Sequence, residues 1–169
     1  MKLDQEQPTR TDPVNDHRRD SLILVVDDRA DNREAIAEAM ERQGHAVLTA
    51  AGGLEALEKI AAHSPDLVIT DLKMPDLDGL ELLKSARAMS SPPEVILLTA
   101  YGTVETAVDA LKHGAFNYLT KPVNLKDLRA QAEKALEHRM IQRDVVRLRR
   151  HVEVAGASPL GDEYLFHSP

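Results

Sequence analysis

Five short apolar runs alternate along this 169-residue sequence with segments that have the periodicity of amphipathic helices. Several of the runs are continuously apolar, which is typical of strands covered on both faces of a parallel sheet. The runs are Leu22 to Val26, Ala46 to Ala50, Leu67 to Thr70, Val95 to Leu98 and Phe116 to Thr120. Strands and helices that alternate in this way predict an α/β fold with a doubly wound, five-stranded parallel sheet and right-handed crossovers.

The segments between the runs predict five helices. Ala30 to Gln43 has Ile36, Ala39 and Met40 at helical spacing, and it is followed by Gly44, a residue suited to ending a helix. The other predicted helices are Leu54 to Ala62, Leu80 to Met89, Val104 to His113, and a fifth that starts near Asn124. Gly114 follows the fourth helix and is expected to end it in the same way as Gly44 ends the first. The fifth helix is the last predicted element, and it continues beyond the domain.

The composition excludes several classes of protein. The absence of Cys excludes disulfides, thiolate catalysis and Cys-ligated metal sites. No apolar stretch approaches the roughly 18 residues that a membrane helix needs, and the polar first 21 residues do not resemble a secretory signal. We therefore expect a cytoplasmic protein without a membrane partner. The net charge of -7 argues against nucleic-acid binding over the whole surface.

Charge and composition predict four segments. Residues 1–20 are polar and mixed in charge, as in a disordered leader, and residues 21–138 form the main domain. Residues 22–138 hold 12 basic and 19 acidic side chains, whereas residues 139–151 hold five Arg against one Asp. We assign 139–154 to a helical linker and 155–169 to a flexible tail.

The linker has an apolar seam suited to pairing with a second helix in a dimer. Its members step along the chain by four, three and four residues, and they are Ile141, Val145, Leu148 and Val152. The arginines around them are expected to form a solvated face. Direct contact with nucleic acid is the minor alternative for this segment.

Polar residues follow the predicted strands at the edge where reactive groups collect in open parallel sheets. Asp27 and Asp28 follow the first run, Asp71 the third, Thr99 the fourth and Lys121 the fifth. In the flavodoxin-like strand order 2-1-3-4-5, strands one and three are neighbours. This order brings the acidic pair beside Asp71.

Three carboxylates at one edge predict a bound cation. Two such groups about 4 Å apart repel by roughly 4 kcal/mol at an effective dielectric constant of about 20. Their oxygens suit a hard ion, and Mg²⁺ is commonly held by one or two carboxylates together with phosphate oxygens. Asp71 is ionised near neutral pH, so it can attack phosphorus without a general base.

Short motifs occur in a fixed order from Ser21 to about His138. They are Val26-Asp27-Asp28, Asp71-Leu72-Lys73-Met74-Pro75, Gly79, Thr99-Ala100 and Tyr118-Leu119-Thr120-Lys121-Pro122. Together they resemble the receiver domains of two-component response regulators, whose fold is the CheY-like form of the strand order given above. The run Ala100-Tyr101-Gly102-Thr103, with Ala107, Gly114-Ala115 and Tyr118, is most similar to receivers of NtrC-type transcriptional activators.

This resemblance implies that Asp71 accepts a phosphoryl group from a sensor histidine kinase. It also implies a Mg²⁺ site formed by Asp27, Asp28, Asp71 and the backbone carbonyl of Lys73. The chain is then a regulatory phosphoacceptor domain that assists its own phosphorylation and dephosphorylation, and is not classed as an enzyme. Lys73 and Tyr101 lie at positions that modulate dephosphorylation in the family.

The resemblance further implies that Thr99 and Lys121 contact the phosphoryl oxygens, and that Thr99 and Tyr118 act as the switch. In NtrC-type activators an ATPase domain and a DNA-binding domain follow the receiver, and the ATPase domain contacts an alternative sigma factor. The last residues of the chain, 164–169, resemble the segment that opens that ATPase domain. The expected output is transcriptional, through a homodimer.

Three alternatives remain open from sequence. The first is a stand-alone or phosphorelay receiver that acts by protein contact. The second is a Mg²⁺-dependent phosphohydrolase of the haloacid-dehalogenase type, whose second Asp would stand where Lys73 is. The third is a purely structural dimerisation module. The sequence has no G-x-x-x-x-G-K-[ST] motif, so no nucleotide site is predicted.

Overall fold

A computed structural model describes residues 21–100 and 102–154 of the chain. These residues contain a five-stranded sheet in the order β2-β1-β3-β4-β5, and every neighbouring pair is parallel. The strands are β1 Leu22–Val26, β2 Ala46–Ala50, β3 Leu67–Asp71, β4 Glu94–Thr99 and β5 Asn117–Thr120. The predicted fold class and strand order are confirmed. The predicted leader, the tail 155–169 and Tyr101 lie outside the described residues.

Five helices connect and follow the strands. They are α1 Ala30–Arg42, α2 Gly53–His63, α3 Gly79–Arg87, α4 Val104–Lys112 and α5 Leu125–Val154. Gly44 and Gly114, just past the ends of α1 and α4, have φ values of 93° and 95°. Glycine adopts this left-handed conformation readily, so it ends both helices as the sequence predicts.

Both faces of the sheet are covered, which explains the continuous apolar runs. In β1, the side chains of Ile23 and Val25 pack in one cluster with α1 and α5. Leu24 and Val26 point to the other face and pack in a second cluster with α2, α3 and α4. All four side chains are almost completely buried, so no polar alternation appears in the strand.

The helices α3 and α4 have the same length but differ in how much they bury. Four of the nine residues of α3 are buried. Of the nine in α4, only Ala110 is buried, while Val104, Val108 and Leu111 are exposed. Fewer buried side chains hold α4 against the sheet.

One compact unit ends at Leu136, and the remainder of α5 belongs to a second unit that begins at Glu137. The predicted continuation of the fifth helix is confirmed, since α5 has 30 residues. Within the second unit, Ile141, Val145, Leu148 and Val152 are 55%, 43%, 65% and 55% exposed. No helix among the described residues has both the length and the apolar character required to cross a bilayer.

Candidate functional site

The parallel pairing of β1 with β3 brings the acidic residues together. Val26 lies opposite Thr70, so Asp27 and Asp28 follow β1 next to Asp71, the last residue of β3. One carboxylate oxygen from each of the three aspartates lies within 4.8 Å of the others. β3 extends one residue further than predicted, because Asp71 still pairs with Leu98 of β4.

Asp27 is the most deeply buried of the three. Its residue surface is 1% exposed, its Oδ1 accepts a hydrogen bond from the backbone N–H of Arg29 at 2.9 Å, and its backbone carbonyl accepts one from the Arg33 guanidinium at 2.8 Å. Asp28 is exposed and Asp71 is intermediate. The cluster is therefore closed on the Asp27 side and open to solvent on the Asp28 side.

Lys121 supplies a cation to this cluster. Its Nζ lies 3.1 Å from Oδ2 of Asp27 and 3.2 Å from Oδ2 of Asp71. The backbone N–H of Lys121 donates a hydrogen bond to the carbonyl of Thr99 at 2.7 Å, which fixes the start of the loop after β5. The following peptide bond, Lys121-Pro122, is cis.

Burial and the neighbouring charges shift the pKa of both groups. Burial raises the pKa of Asp71; Lys121 opposes this rise, and the Asp27 carboxylate adds to it. For Lys121, burial opposes the charge, but the hydrogen bond and charge of Asp27, with those of Asp71, raise its pKa overall. The ammonium group therefore stays charged, and the cluster keeps an excess of carboxylates that a cation would relieve.

The donor set fits Mg²⁺. It consists of carboxylate oxygens, which are the hard ligands that this ion takes. The partly open position beside Asp28 suits an ion that retains several water ligands. The role of the Lys73 carbonyl in this site stays a prediction.

Thr99 and Tyr118 lie on the adjacent strands β4 and β5. Thr99 is 1% exposed, and Tyr118 is partly buried against the cluster that contains α4. The Tyr118 hydroxyl lies 2.9 Å from Oγ1 of Thr106 in α4. A Cβ at Gly102 would collide with the Thr120 methyl group and would lie 3.5 Å from Cε1 of Tyr118, so glycine allows the loop after β4 to approach β5 closely.

The segment after Asp71 folds back against the end of β3. The N–H of Leu72 donates to the carbonyl of Leu98 at 2.8 Å, and the N–H of Gly79 donates to the carbonyl of Leu72 at 2.7 Å. A Cβ at Gly79 would overlap the carbonyl oxygen of Asp71. Glycine is therefore required there by the close approach of α3 to the strand.

Sequence reasoning missed Asp76. Its Oδ1 accepts a hydrogen bond from the N–H of Gly53 at 3.2 Å, and its Oδ2 accepts one from the N–H of Leu54 at 3.1 Å. The pKa of Asp76 is lowered by its hydrogen bonds to the backbone of Leu77, Leu54 and Gly53. No local pattern signals this contact, because its partners lie more than 20 residues earlier, at the start of α2.

Known proteins share these features. The sequence matches the response regulator receiver domain family over residues 23–133. It is 38% identical over 133 residues to the regulatory protein AtoC of Escherichia coli K12, covering 79% of this chain and 28% of AtoC. It is 36% identical over 117 residues to the DNA-binding transcriptional regulator NtrC of the same strain, covering 69% of this chain and 25% of NtrC.

A solved structure supports the same relationship. It is a response regulator receiver domain protein from Clostridium thermocellum, with a TM-score of 0.68 and 36% identity, covering 72% of this chain and 98% of that chain. The chain thus spans nearly all of an isolated receiver. It spans about a quarter of the curated relatives AtoC and NtrC.

Proposed function

The chain belongs to the response regulator receiver domain family, and from this premise we propose that Asp71 accepts a phosphoryl group and controls a transcriptional output. It is a receiver of the kind found in NtrC-type regulators. One observation supports Asp71 most directly. Its carboxylate lies at the end of β3, 3.2 Å from the Lys121 ammonium and beside Asp27 and Asp28.

The phosphoryl donor is a phosphohistidine of a sensor histidine kinase. A carboxylate oxygen of Asp71 forms the new P–O bond while the N–P bond of the donor breaks, and the bonding electron pair returns to the imidazole nitrogen. Asp71 needs no general base for this step, since it attacks as the carboxylate. Dephosphorylation is a hydrolysis, in which water forms a new P–O bond while the P–O bond to Asp71 breaks. The bonding electron pair returns to the Asp71 carboxylate, and inorganic phosphate is released.

The surrounding residues hold and orient the reacting groups. Asp27, Asp28, Asp71 and the backbone carbonyl of Lys73 would hold Mg²⁺. When bound, this ion offsets the negative charge of the phosphoryl oxygens. Lys121 already donates to Asp71, so its ammonium is in reach of oxygens added there. We assign the remaining contact to the Thr99 hydroxyl.

Phosphorylation adds about -1.5 to -2 charges and strong acceptor oxygens at Asp71. In the proposed switch Thr99 moves toward these oxygens, and Tyr118 leaves its hydrogen bond with Thr106 and rotates inward. Because a ligand shifts two states only by its differential interaction with them, the response is a change of population. The surface formed by α4, β5 and α5 changes its affinity for partners.

The output is proposed to operate through a homodimer. The exposed apolar residues Ile141, Val145, Leu148 and Val152 follow helical spacing over the second unit and support this assignment. Pairing them with a second copy would remove apolar surface from water. If the native chain is longer, an ATPase domain and a DNA-binding domain would be the partners of this segment.

Incubation with acetyl phosphate and Mg²⁺, followed by intact mass measurement, tests the assignment. We expect the wild-type protein to gain the mass of one HPO₃ group and Asp71→Asn to gain none. Labelling that persists in Asp71→Asn would place the acceptor elsewhere. Turnover of a small phosphoester without stable labelling would favour the phosphohydrolase, although the position of its second Asp is taken by the exposed Lys73.

A further inference from the structure

Asp76 joins the segment after Asp71 to the start of α2. It lies in the segment between β3 and α3, and its carboxylate binds the first N–H groups of α2, those of Gly53 and Leu54. One oxygen serves each N–H, so the contact is bidentate. The positive end of the α2 dipole adds to the attraction for this negative side chain.

Two glycines permit this approach. A Cβ at Gly52 would lie 2.8 Å from Oδ2 of Asp76, and a Cβ at Gly53 would lie 2.5 Å from the carbonyl oxygen of Leu77. Real Cβ atoms do not approach other atoms so closely, so a side chain at Gly52 would displace the Asp76 carboxylate, and one at Gly53 would displace the backbone at Leu77. The start of α2 at Gly53 is therefore packed directly against the backbone of the segment after Asp71.

The same segment is anchored at three further points. Leu72 is hydrogen-bonded to Leu98, the Met74 side chain is buried, and Gly79 is hydrogen-bonded to Leu72. Lys73 lies between two of these anchors, and its side chain is exposed. Asp76 is the anchor that ties the tip of the segment to a separate part of the fold.

We propose that Asp76 is a positioning residue that holds the segment after Asp71 in the conformation that binds Mg²⁺ and allows phosphoryl transfer. This inference rests on the proposed function, because the proposed function assigns Lys73 and Asp71 to the metal site. Without the bidentate contact, the tip of the segment samples other conformations. Ion binding must then order it, and the apparent affinity falls with the fraction of ordered molecules.

Titration of the ¹⁵N-labelled full chain with MgCl₂, followed by NMR, measures this affinity without any phosphoryl transfer. We expect Asp76→Ala to weaken Mg²⁺ binding about tenfold, the lower end of the effect found when groups supporting metal ligands are removed. Asp76→Asn keeps an acceptor for one N–H, so its Mg²⁺ affinity should lie between those of wild type and Asp76→Ala. Phosphorylation by acetyl phosphate should become slower in the same order and recover at high Mg²⁺ concentration.

Gly52→Ala tests the contact from its other side. It leaves the Asp76 charge in place but pushes the carboxylate away, so it should weaken Mg²⁺ binding to a similar degree. In the double variant, Gly52→Ala should add little to Asp76→Ala, because the contact is already lost. If Gly52→Ala weakened Mg²⁺ binding equally in the wild-type and Asp76→Ala backgrounds, the proposal would be contradicted.

Asp78→Ala is the matched control. Asp78 lies in the same segment and caps α3, where its Oδ1 accepts from the N–H of Glu81 at 2.8 Å, but it makes no link to α2. Asp78→Ala should lower stability and leave Mg²⁺ affinity within about twofold of wild type, because loss of a cap acts mainly on the helix itself.

An unchanged Mg²⁺ affinity in folded Asp76→Ala, or an equal loss of Mg²⁺ affinity in Asp78→Ala, would overturn the proposal. Wild-type protein that binds Mg²⁺ but is not phosphorylated would count against the proposed function alone.

Discussion

The hydroxyl groups of Tyr118 and Thr106 lie 2.9 Å apart, and a hydrogen bond between them joins β5 to the first turn of α4. Tyr118→Phe removes this bond, and we expect it to lower the free energy of unfolding by about 0.5–1.5 kcal/mol. If the bond belongs to the unphosphorylated state, its loss should strengthen binding of beryllofluoride, a phosphoryl mimic, by about twofold to tenfold. Titration in the presence of Mg²⁺ measures this change.

The control for Tyr118→Phe is the same substitution in a Thr106→Ala background. Thr106→Ala also removes the capping interaction with Thr103, so it has a cost of its own. Tyr118→Phe should then have little further effect on beryllofluoride affinity. An undiminished effect in that background would show that the hydroxyl acts through another group.

Lys121→Met should produce a protein that depends more strongly on divalent ions. The substitution leaves Asp27 and Asp71 without the ammonium that lies 3.1 and 3.2 Å from them. We expect the free energy of unfolding to fall by about 1–3 kcal/mol without Mg²⁺, and a larger rise in melting temperature than wild type when Mg²⁺ is added. Thermal unfolding at several Mg²⁺ concentrations measures both. A response to Mg²⁺ equal to that of wild type would contradict the prediction.

The raised pKa of Asp71 predicts a pH-dependent effect of Asp71→Asn. Burial raises this pKa above its ordinary value, so the native state holds the proton more tightly than the unfolded state. Stability is then lost as pH rises from the ordinary carboxyl pKa through the raised one, and the loss is complete above it. Asp71→Asn removes this loss.

Urea unfolding across this pH range, without Mg²⁺, measures the difference between wild type and Asp71→Asn. We expect the variant to be more stable than wild type at pH 7. The advantage should shrink as pH falls through the raised pKa, and disappear below the ordinary carboxyl pKa near 4. If Asp71→Asn were more stable than wild type by the same amount at every pH, the difference would come from packing and not from the charge of Asp71.

Leu148→Asp should weaken the proposed dimer. Leu148 is 65% exposed in the single chain, and a carboxylate at the centre of an apolar seam would lose its hydration on pairing. We expect the dimer dissociation constant to rise about tenfold or more. Val146→Asp is the matched control, since Val146 is 51% exposed but lies off the seam. Sedimentation with and without beryllofluoride measures both variants, and equal effects would contradict the assigned seam.

The parts of the fold that sequence could predict depend on repeated, local signals. The apolar runs at β1 and β4 are continuous because both faces of the sheet are covered, and Gly44 and Gly114 end helices through their own backbone conformation. The placement of Asp27 and Asp71 at the same edge of the sheet also follows from the strand order alone. Each of these predictions needs only neighbours in the chain or the order of the strands.

The contacts that sequence could not predict depend on the reach of individual side chains. Asp76 looks like an ordinary turn residue, and only the path of the loop before α2 brings Gly53 within its reach. The pairing of Tyr118 with Thr106 likewise depends on how α4 is set against β5. Arg33 on the backbone carbonyl of Asp27 is a third example. In none of these three contacts does the spacing of the two residues along the chain indicate that they meet.

The small share of α4 that is buried has a thermodynamic consequence. With Ala110 as its only buried residue, this helix can leave its resting position without opening a large cavity, whereas α3 would have to withdraw Leu82 and Leu83. Amide protons in α4 should therefore exchange with solvent sooner than those in α3. We therefore expect a doubly charged phosphoryl group on Asp71 to displace α4 more readily than α3.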